Sequence, residues 1–263
     1  GYLFKPTVLI IFIAAVILGI INLLSGHKAE YKKAAAMLCC VAIAAASAFS
    51  VKHILVTRKK LPAEKSMTIT HYLMMGLNSE TEGVYSSDDV KYSRNIGDKK
   101  ARQEANIKII RERLEKMGFN GFAKLVIKKN LSNYNDGTFT WAREGEFYKI
   151  VYPSDSRVKT ALRNFYFNKP EAFRFLAQTI WFFTLLCICF SAFRKGSAYS
   201  GIISLVALSL FGESIFLLLF ECRARYLFLY LPLFLILAAV GLSASTDICK
   251  KIIFERKIEN GRN

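Results

Sequence analysis

The stretch Tyr199–Ser245, YSGIISLVALSLFGESIFLLLFECRARYLFLYLPLFLILAAVGLSAS, decides the fold. Two long apolar runs, 199–220 and 226–245, flank the charged turn Glu221-Cys222-Arg223-Ala224-Arg225. A bilayer core of roughly 30 Å is crossed by about 20 apolar residues in a helix, and each run is close to that length. One carboxylate, Glu213, interrupts the first run, and Pro232 lies inside the second. The pattern predicts two transmembrane helices joined by a tight basic turn.

Working outward, the same pattern recurs at 173–193, at 34–51 (rich in alanine) and at 7–24. The chain therefore reads as an α-helical multi-pass membrane protein with about five transmembrane helices. Two lie in 1–51 (about 7–24 and 34–51) and three in 173–245 (about 173–193, 199–220 and 226–245). Residues 52–172 form one large polar loop, mainly helical, and 246–263 a basic tail. The distribution carries this assignment, because a chain that is 53% apolar would also suit a large soluble core.

The net charge is +17. The positive residues flank the apolar runs, where they set topology and meet anionic headgroups, so no nucleic-acid partner is expected. The Lys28–Lys33 turn, the Arg194–Lys195 turn and the tail carry the basic excess, against Lys5, Arg223 and Arg225 on the other side. Long loops do not enter this count. The reading is a cell-membrane protein with a cytoplasmic C-terminus and an extracytoplasmic large loop. Of the six cysteines, Cys39, Cys40, Cys187 and Cys189 lie within apolar runs, and Cys222 and Cys249 at run ends. There is no CxxC and no His/Cys metal spacing, so neither a structural disulfide nor a cysteine-held metal is expected.

Within the loop, Asp98–Gly118 reads as an amphipathic helix, with Asp98 as N-cap, Gly118 at the C-terminal turn, and Ile107, Ile110, Leu114 and Met117 on one stripe. A second helix is expected over Gly121–Leu131 and another over Asp155–Phe167. Gly137–Val151 reads as a hairpin or an irregular extension, and Pro170 precedes the third run. Ser87-Asp88 before Val90 reads as a helix cap rather than part of a metal site. Trp141–Tyr148 mixes rings and carboxylates, as sugar sites and ordinary loop cores both do, and Asn130-Leu131-Ser132 matches the N-glycosylation pattern.

Three positions carry candidate chemistry. Arg223 and Arg225, with Tyr226, concentrate positive charge at the depth of a lipid phosphate, which guanidinium groups bind bidentately; interfacial anchoring is the plainer alternative. Glu213 lies about 12 Å along the helix from Glu221 at a 1.5 Å rise per residue. A carboxylate there faces a cavity or pairs with a neighbouring helix, which makes Glu213 and Glu221 pocket candidates. His71, in the apolar stretch that opens the loop, could bind a substrate or shuttle a proton. Walker, GxSxG and HExxH sequences are absent.

Taken in order, GYLFKPT, HYLMMGLNSETEGVYSSDDV, TFTWAREGEFY and ECRARYLFLYLP resemble bacterial membrane glycosyltransferases of the GT-C superfamily. The similarity is to the dolichyl-phosphate-mannose-protein mannosyltransferase-like (family 39-like) proteins, over their C-terminal part. The resemblance implies a GT-C-like fold and a glycosyltransferase of hexosyltransferase type. It implies a polyprenyl-phosphate-linked sugar as donor and a cell-envelope acceptor, with membrane lipid as a further partner. It puts Arg223, Arg225 and Tyr226 on the donor phosphate and His71, Glu213 and Glu221 in the pocket. The catalytic carboxylate is expected in an outer loop ahead of Gly1, which would leave this chain inactive alone. No cofactor is implied with certainty; a divalent cation stays open. The alternatives from the residues alone are a transporter or flippase for a lipid-linked or anionic substrate, and a scaffold or sensor whose loop binds a partner.

Overall fold

The computed structural model describes residues 6–24, part of 32–54, and 67–141, 156–194 and 200–260. The described residues are mostly helical, and none is in a strand. Run two (34–51) is described at part of its positions, all helical. The Lys28–Lys33 turn apart from Lys32, the stretch 142–155 and the end of the tail lie outside the described residues.

The elements are α1 (Leu9–Leu24), α2 (Ile69–Gly76), α3 (Ser87–Asn95), α4 (Lys99–Tyr134), α5 (Arg157–Asn168), α6 (Pro170–Ser191), α7 (Ser200–Leu219) and α8 (Leu231–Asn260), with 3₁₀ segments at Pro6–Val8 and Ala224–Tyr230. Among the described residues, three stretches are long and apolar enough to cross a membrane: Pro170–Ser191, Ser200–Leu219 and Ala224–Phe254. The first run forms a shorter α-helix than its apolar length suggests: the chain enters through a 3₁₀ turn, Pro6–Val8, and α1 itself has 16 residues. The last run also begins differently. Ala224–Tyr230 is 3₁₀, and Pro232 falls in the first turn of α8, where its missing N–H leaves no helical bond unmade. Pro170 has the same role at the start of α6.

The chain divides into two compact units. The first comprises Gly1–Asn130 and Gly201–Cys222. Here α1 and α7 approach at Gly212, where a Cβ would lie 2.7 Å from Ile10 Cγ2. Met74 of α2 and Leu77, its C-cap, bury against Ile110 of α4, with Leu73, Ile109 and Phe122 around them. Gly76 is pressed so closely on the Leu219 and Phe220 backbone that no Cβ fits.

The helix predicted over Asp98–Gly118 forms, and the Asp98 carboxylate accepts the Ala101 amide at 2.7 Å. The chain bends at Gly118 (φ 57°, ψ −174°) and becomes helical again up to Tyr134. The predicted apolar stripe needs correction. Ile110 is buried, but Ile107 and Leu114 are exposed, and the inward face instead carries Arg102, Asn106 and Arg113. The cap before Val90 is also displaced: Ser86, not Ser87, accepts the Asp89 amide, at 3.2 Å.

The second unit comprises Leu131–Ser200 and Arg223–Asn263. Its centre is Trp181 on α6, between Phe139 and Phe234, with its indole N–H donating to Tyr134 O at 2.8 Å. The described part of the predicted hairpin is a turn. Asp136 accepts the amides of Thr138 and Thr140, each at 2.9 Å, which holds Phe139 and Thr140 at positive φ. Helices α6 and α8 meet closely at Gly241, and Arg194 ties their far ends by donating to Ser243 and Asp247.

Candidate functional site

In the first unit, three polar constructions surround α2. His71 is buried, and its Nδ1 lies 2.8 Å from Ser93 Oγ, which donates in turn to Asn106 Oδ1 at 3.0 Å. Since the serine proton goes to Asn106, the histidine Nδ1–H is the donor to Ser93. Burial lowers the His71 pKa, with Asp89 opposing and Arg102 and Arg94 adding to the shift. His71 thus belongs to a closed chain linking α2, α3 and α4.

Beside it, Arg113 grips Asp89 in a two-pronged pair: Nη2 to Oδ1 at 2.6 Å and Nη1 to Oδ2 at 3.1 Å. The same Nη1 donates to Met74 O at 2.5 Å, and Asn78 Nδ2 donates to Asp89 Oδ2 at 3.1 Å. Asp89 is buried, and the fork geometry meets both of its oxygens. Of the adjacent carboxylates noted in the sequence, Asp88 stays exposed near Lys91 while Asp89 turns inward.

The third construction is Lys129. Its side chain is wholly buried, and its ammonium donates to Gly76 O at 2.8 Å and Phe220 O at 2.7 Å. Burial pulls its pKa down to about 8. The stem packs on Gly83, where a Cβ would lie 2.8 Å from the lysine Cε. Cys222 closes the arrangement: its amide donates to Gly83 O at 2.9 Å, and its thiol lies 3.5 Å from Glu82 O. Burial raises that thiol's pKa.

Glu213 is wholly buried within α7, and Glu221 is buried just beyond the end of that helix. Both, with His71, belong to the first unit.

The remaining sequence-predicted residues open the second unit's 3₁₀ segment. Arg223 is extended (φ −156°, ψ 133°) and half-buried at its N-cap, and its carbonyl accepts the Tyr226 amide at 2.9 Å. Arg225 is exposed, with its guanidinium carbon 5.6 Å from the Tyr226 ring centre. The structure therefore brings Arg225 and Tyr226 together as a cation–π pair. The fixed, planar, permanently charged guanidinium at this turn suits an oxyanion such as phosphate. Among the described residues, no group of three His, Cys, Asp or Glu side chains converges as metal ligands do.

Sequence reasoning missed Asn78, Arg113 and Lys129. The available signal was polar residues at helical spacing along α4 (Arg102, Asn106, Arg113), which are equally regular on a solvated face.

No curated protein and no solved structure matches the chain. Residues 1–246 match the family model described as conserved hypothetical integral membrane protein, and the chain belongs to that family.

Proposed function

We propose that this chain is part of a membrane glycosyltransferase that moves a sugar from a polyprenyl-phosphate donor to a cell-envelope acceptor. In this reading five helices cross the membrane, segment 67–141 stands on the outer face, and the C-terminus is cytoplasmic. One observation supports it above the rest. Arg223 and the exposed Arg225, stacked on Tyr226, open the 3₁₀ segment with which the candidate span Ala224–Phe254 begins. In this reading that end of the span meets the headgroup layer, where a lipid phosphate is within reach.

The chemistry is coherent. An acceptor hydroxyl oxygen bonds to the sugar's anomeric carbon, the bond from that carbon to the phosphate oxygen breaks, and the hydroxyl proton passes to a base. Negative charge grows on the departing phosphate, where fixed guanidinium groups stabilise it. The test is transfer of labelled sugar from a polyprenyl-phosphate donor by the native protein in membranes. Arg223→Ala and Arg225→Ala should each lower turnover, by about 10²-fold if the group acts like an oxyanion-hole donor. Unchanged turnover in both variants removes the proposal.

A second reading rests on Glu213, a carboxylate wholly buried in a candidate span. Such residues mark transport pathways as well as pockets. Movement of a lipid-linked phosphate across reconstituted vesicles, without sugar transfer, would favour a flippase.

A further inference from the structure

A cleft of about 380 Å³ opens between the Asn78–Glu80 turn and the outer side of α4. Its polar lining is Asn78, Ser79, Glu80, Glu112, Arg113 and Lys116. Ile109 and Met117 supply an apolar wall. Neither the proposed donor-phosphate site nor the buried chain around His71 uses it.

We propose that this cleft binds a neutral polyhydroxylated ligand, a carbohydrate, through the free edge of Arg113 and the Glu80 and Glu112 carboxylates. Calling that ligand the sugar acceptor rests on the transferase reading; the binding itself does not.

Arg113 lines the cleft, and its charge is already met by Asp89 through two bonds, at 2.6 and 3.1 Å, while Met74 O takes a third. Among the described residues, its Nε–H and second Nη2–H remain unused. They are therefore directional donors with little unspent charge. Three existing bonds hold them in place, so a ligand orders them at little entropic cost.

The rest of the lining is balanced. Glu80 and Glu112 oppose an anion, and Lys116 opposes a cation. Glu112 is only loosely held by Lys108, at 4.0 Å. Carboxylates beside amide and guanidinium donors suit hydroxyl groups, each of which gives one proton and accepts another. Ile109 and Met117 match the C–H face of a sugar ring. The volume lies within the range of small-molecule clefts.

The test uses the full chain in lipid nanodiscs with ¹³C-methyl methionine, the Met117 resonance being assigned by Met117→Leu. The probes are methyl glucosides, galactosides and mannosides and their disaccharides, with inorganic phosphate and glycine as charged controls. The expected result is a saturable Met117 shift with at least one glycoside and none with phosphate or glycine. Glu112→Ala and Ser79→Ala, both exposed positions, should each weaken that binding about fivefold, the loss of one hydrogen bond.

Three results would overturn the proposal: no shift with any glycoside, saturation by phosphate or glycine instead, or glycoside binding indifferent to both variants. Binding is read without turnover. Glycoside binding in a protein that transfers no sugar would sink the transferase reading alone, and transfer without binding would sink this one alone.

Discussion

Gly241 on α8 lies so close to Cys187 on α6 that a Cβ built on it would overlap the Cys187 carbonyl oxygen and sit 2.9 Å from the Ser191 amide. Helix pairs in lipid gain their stability from such close approach, because no hydrophobic force drives apolar helices together there. Gly241→Ala must push α6 and α8 apart, at a cost of about 1–3 kcal/mol. Gly201, at the start of α7, has nothing within 4 Å of its added methyl. Gly201→Ala should be neutral or stabilising by up to about 1 kcal/mol. Thermal unfolding in detergent compares the two, and equal melting temperatures would contradict the packing argument.

Lys129 predicts a pH dependence of unusual sign. Its folded pKa is lowered to about 8 by burial, while an unfolded lysine titrates near 10.5. Between these values the unfolded chain holds a proton that the folded chain has released, so stability rises with pH. Below about pH 8 both forms are charged and the burial cost is fully present. The neutral amine still has N–H groups for both Gly76 O and Phe220 O. Cys222 faces Lys129, and its raised thiol pKa acts in the opposite direction above pH 9, so the comparison belongs in a Cys222→Ala background. Glu82 and Glu221, which face that cysteine, are common to both proteins. The melting-temperature gap between the Lys129 and Lys129→Gln proteins should change in favour of lysine from about pH 8 to about pH 10. A gap independent of pH would show that the ammonium is not desolvated.

The three candidate spans among the described residues were legible because apolar length is a local property. The stretch Tyr199–Ser245 needs no partner to be read, and Pro170 and Asp98 mark helix starts by chemistry confined to a few residues. Lys129 was illegible for the opposite reason. It stands beside the half-exposed Lys128–Glu82 pair, and one of its own partners, Phe220 O, is 91 residues away. Arg113 likewise takes its partner, Asp89, from 24 residues upstream. Ile107 and Leu114 drew the core to the wrong face of α4, because hydrophobic periodicity cannot tell which long-range polar partners a helix will meet. The basic turn was visible as Arg223 and Arg225, but the stacking of Arg225 on Tyr226 depends on the 3₁₀ geometry that follows.

Gly118 tests the bend in α4. Its backbone (φ 57°, ψ −174°) lies in a region that only glycine occupies readily, and no neighbour lies within 4 Å of an added Cβ. The cost of Gly118→Ala is therefore backbone strain alone, about 1–3 kcal/mol. Amide hydrogen exchange across 106–126 should speed about tenfold or more, as 1.4 kcal/mol is a factor of ten. Unchanged protection would mean that the two halves of α4 do not require this bend.

His71 predicts loosening in acid. Burial lowers its folded pKa below the ordinary 6.5. As pH falls through 6.5, the unfolded histidine takes a proton that the folded one resists, and stability is lost until the folded pKa is reached. Asp89 favours the proton, while Arg102 and Arg94 oppose it, and Ser93 accepts from the ring. Hydrogen-exchange protection of 69–95 should drop as the pH falls below 6.5, and His71→Asn should remove that drop. Persistence of the drop in the variant would assign it to another group.

The Asp89–Arg113 pair separates rigidity from net stabilisation. Arg113 has a side chain 23% exposed and Asp89 one of 9%, so both are largely withdrawn from water. Asp89→Asn leaves the guanidinium half-buried with its charge unmet, which should cost about 3–5 kcal/mol. Adding Arg113→Met removes the stranded charge and should recover much of that loss, because an apolar replacement avoids desolvation. Thermal unfolding of the single and double variants closes the cycle. If Asp89→Asn alone is harmless, solvent already screens the pair. The cleft residue Arg113 would then be free to meet a charged ligand, and the reason for expecting a neutral one there would disappear.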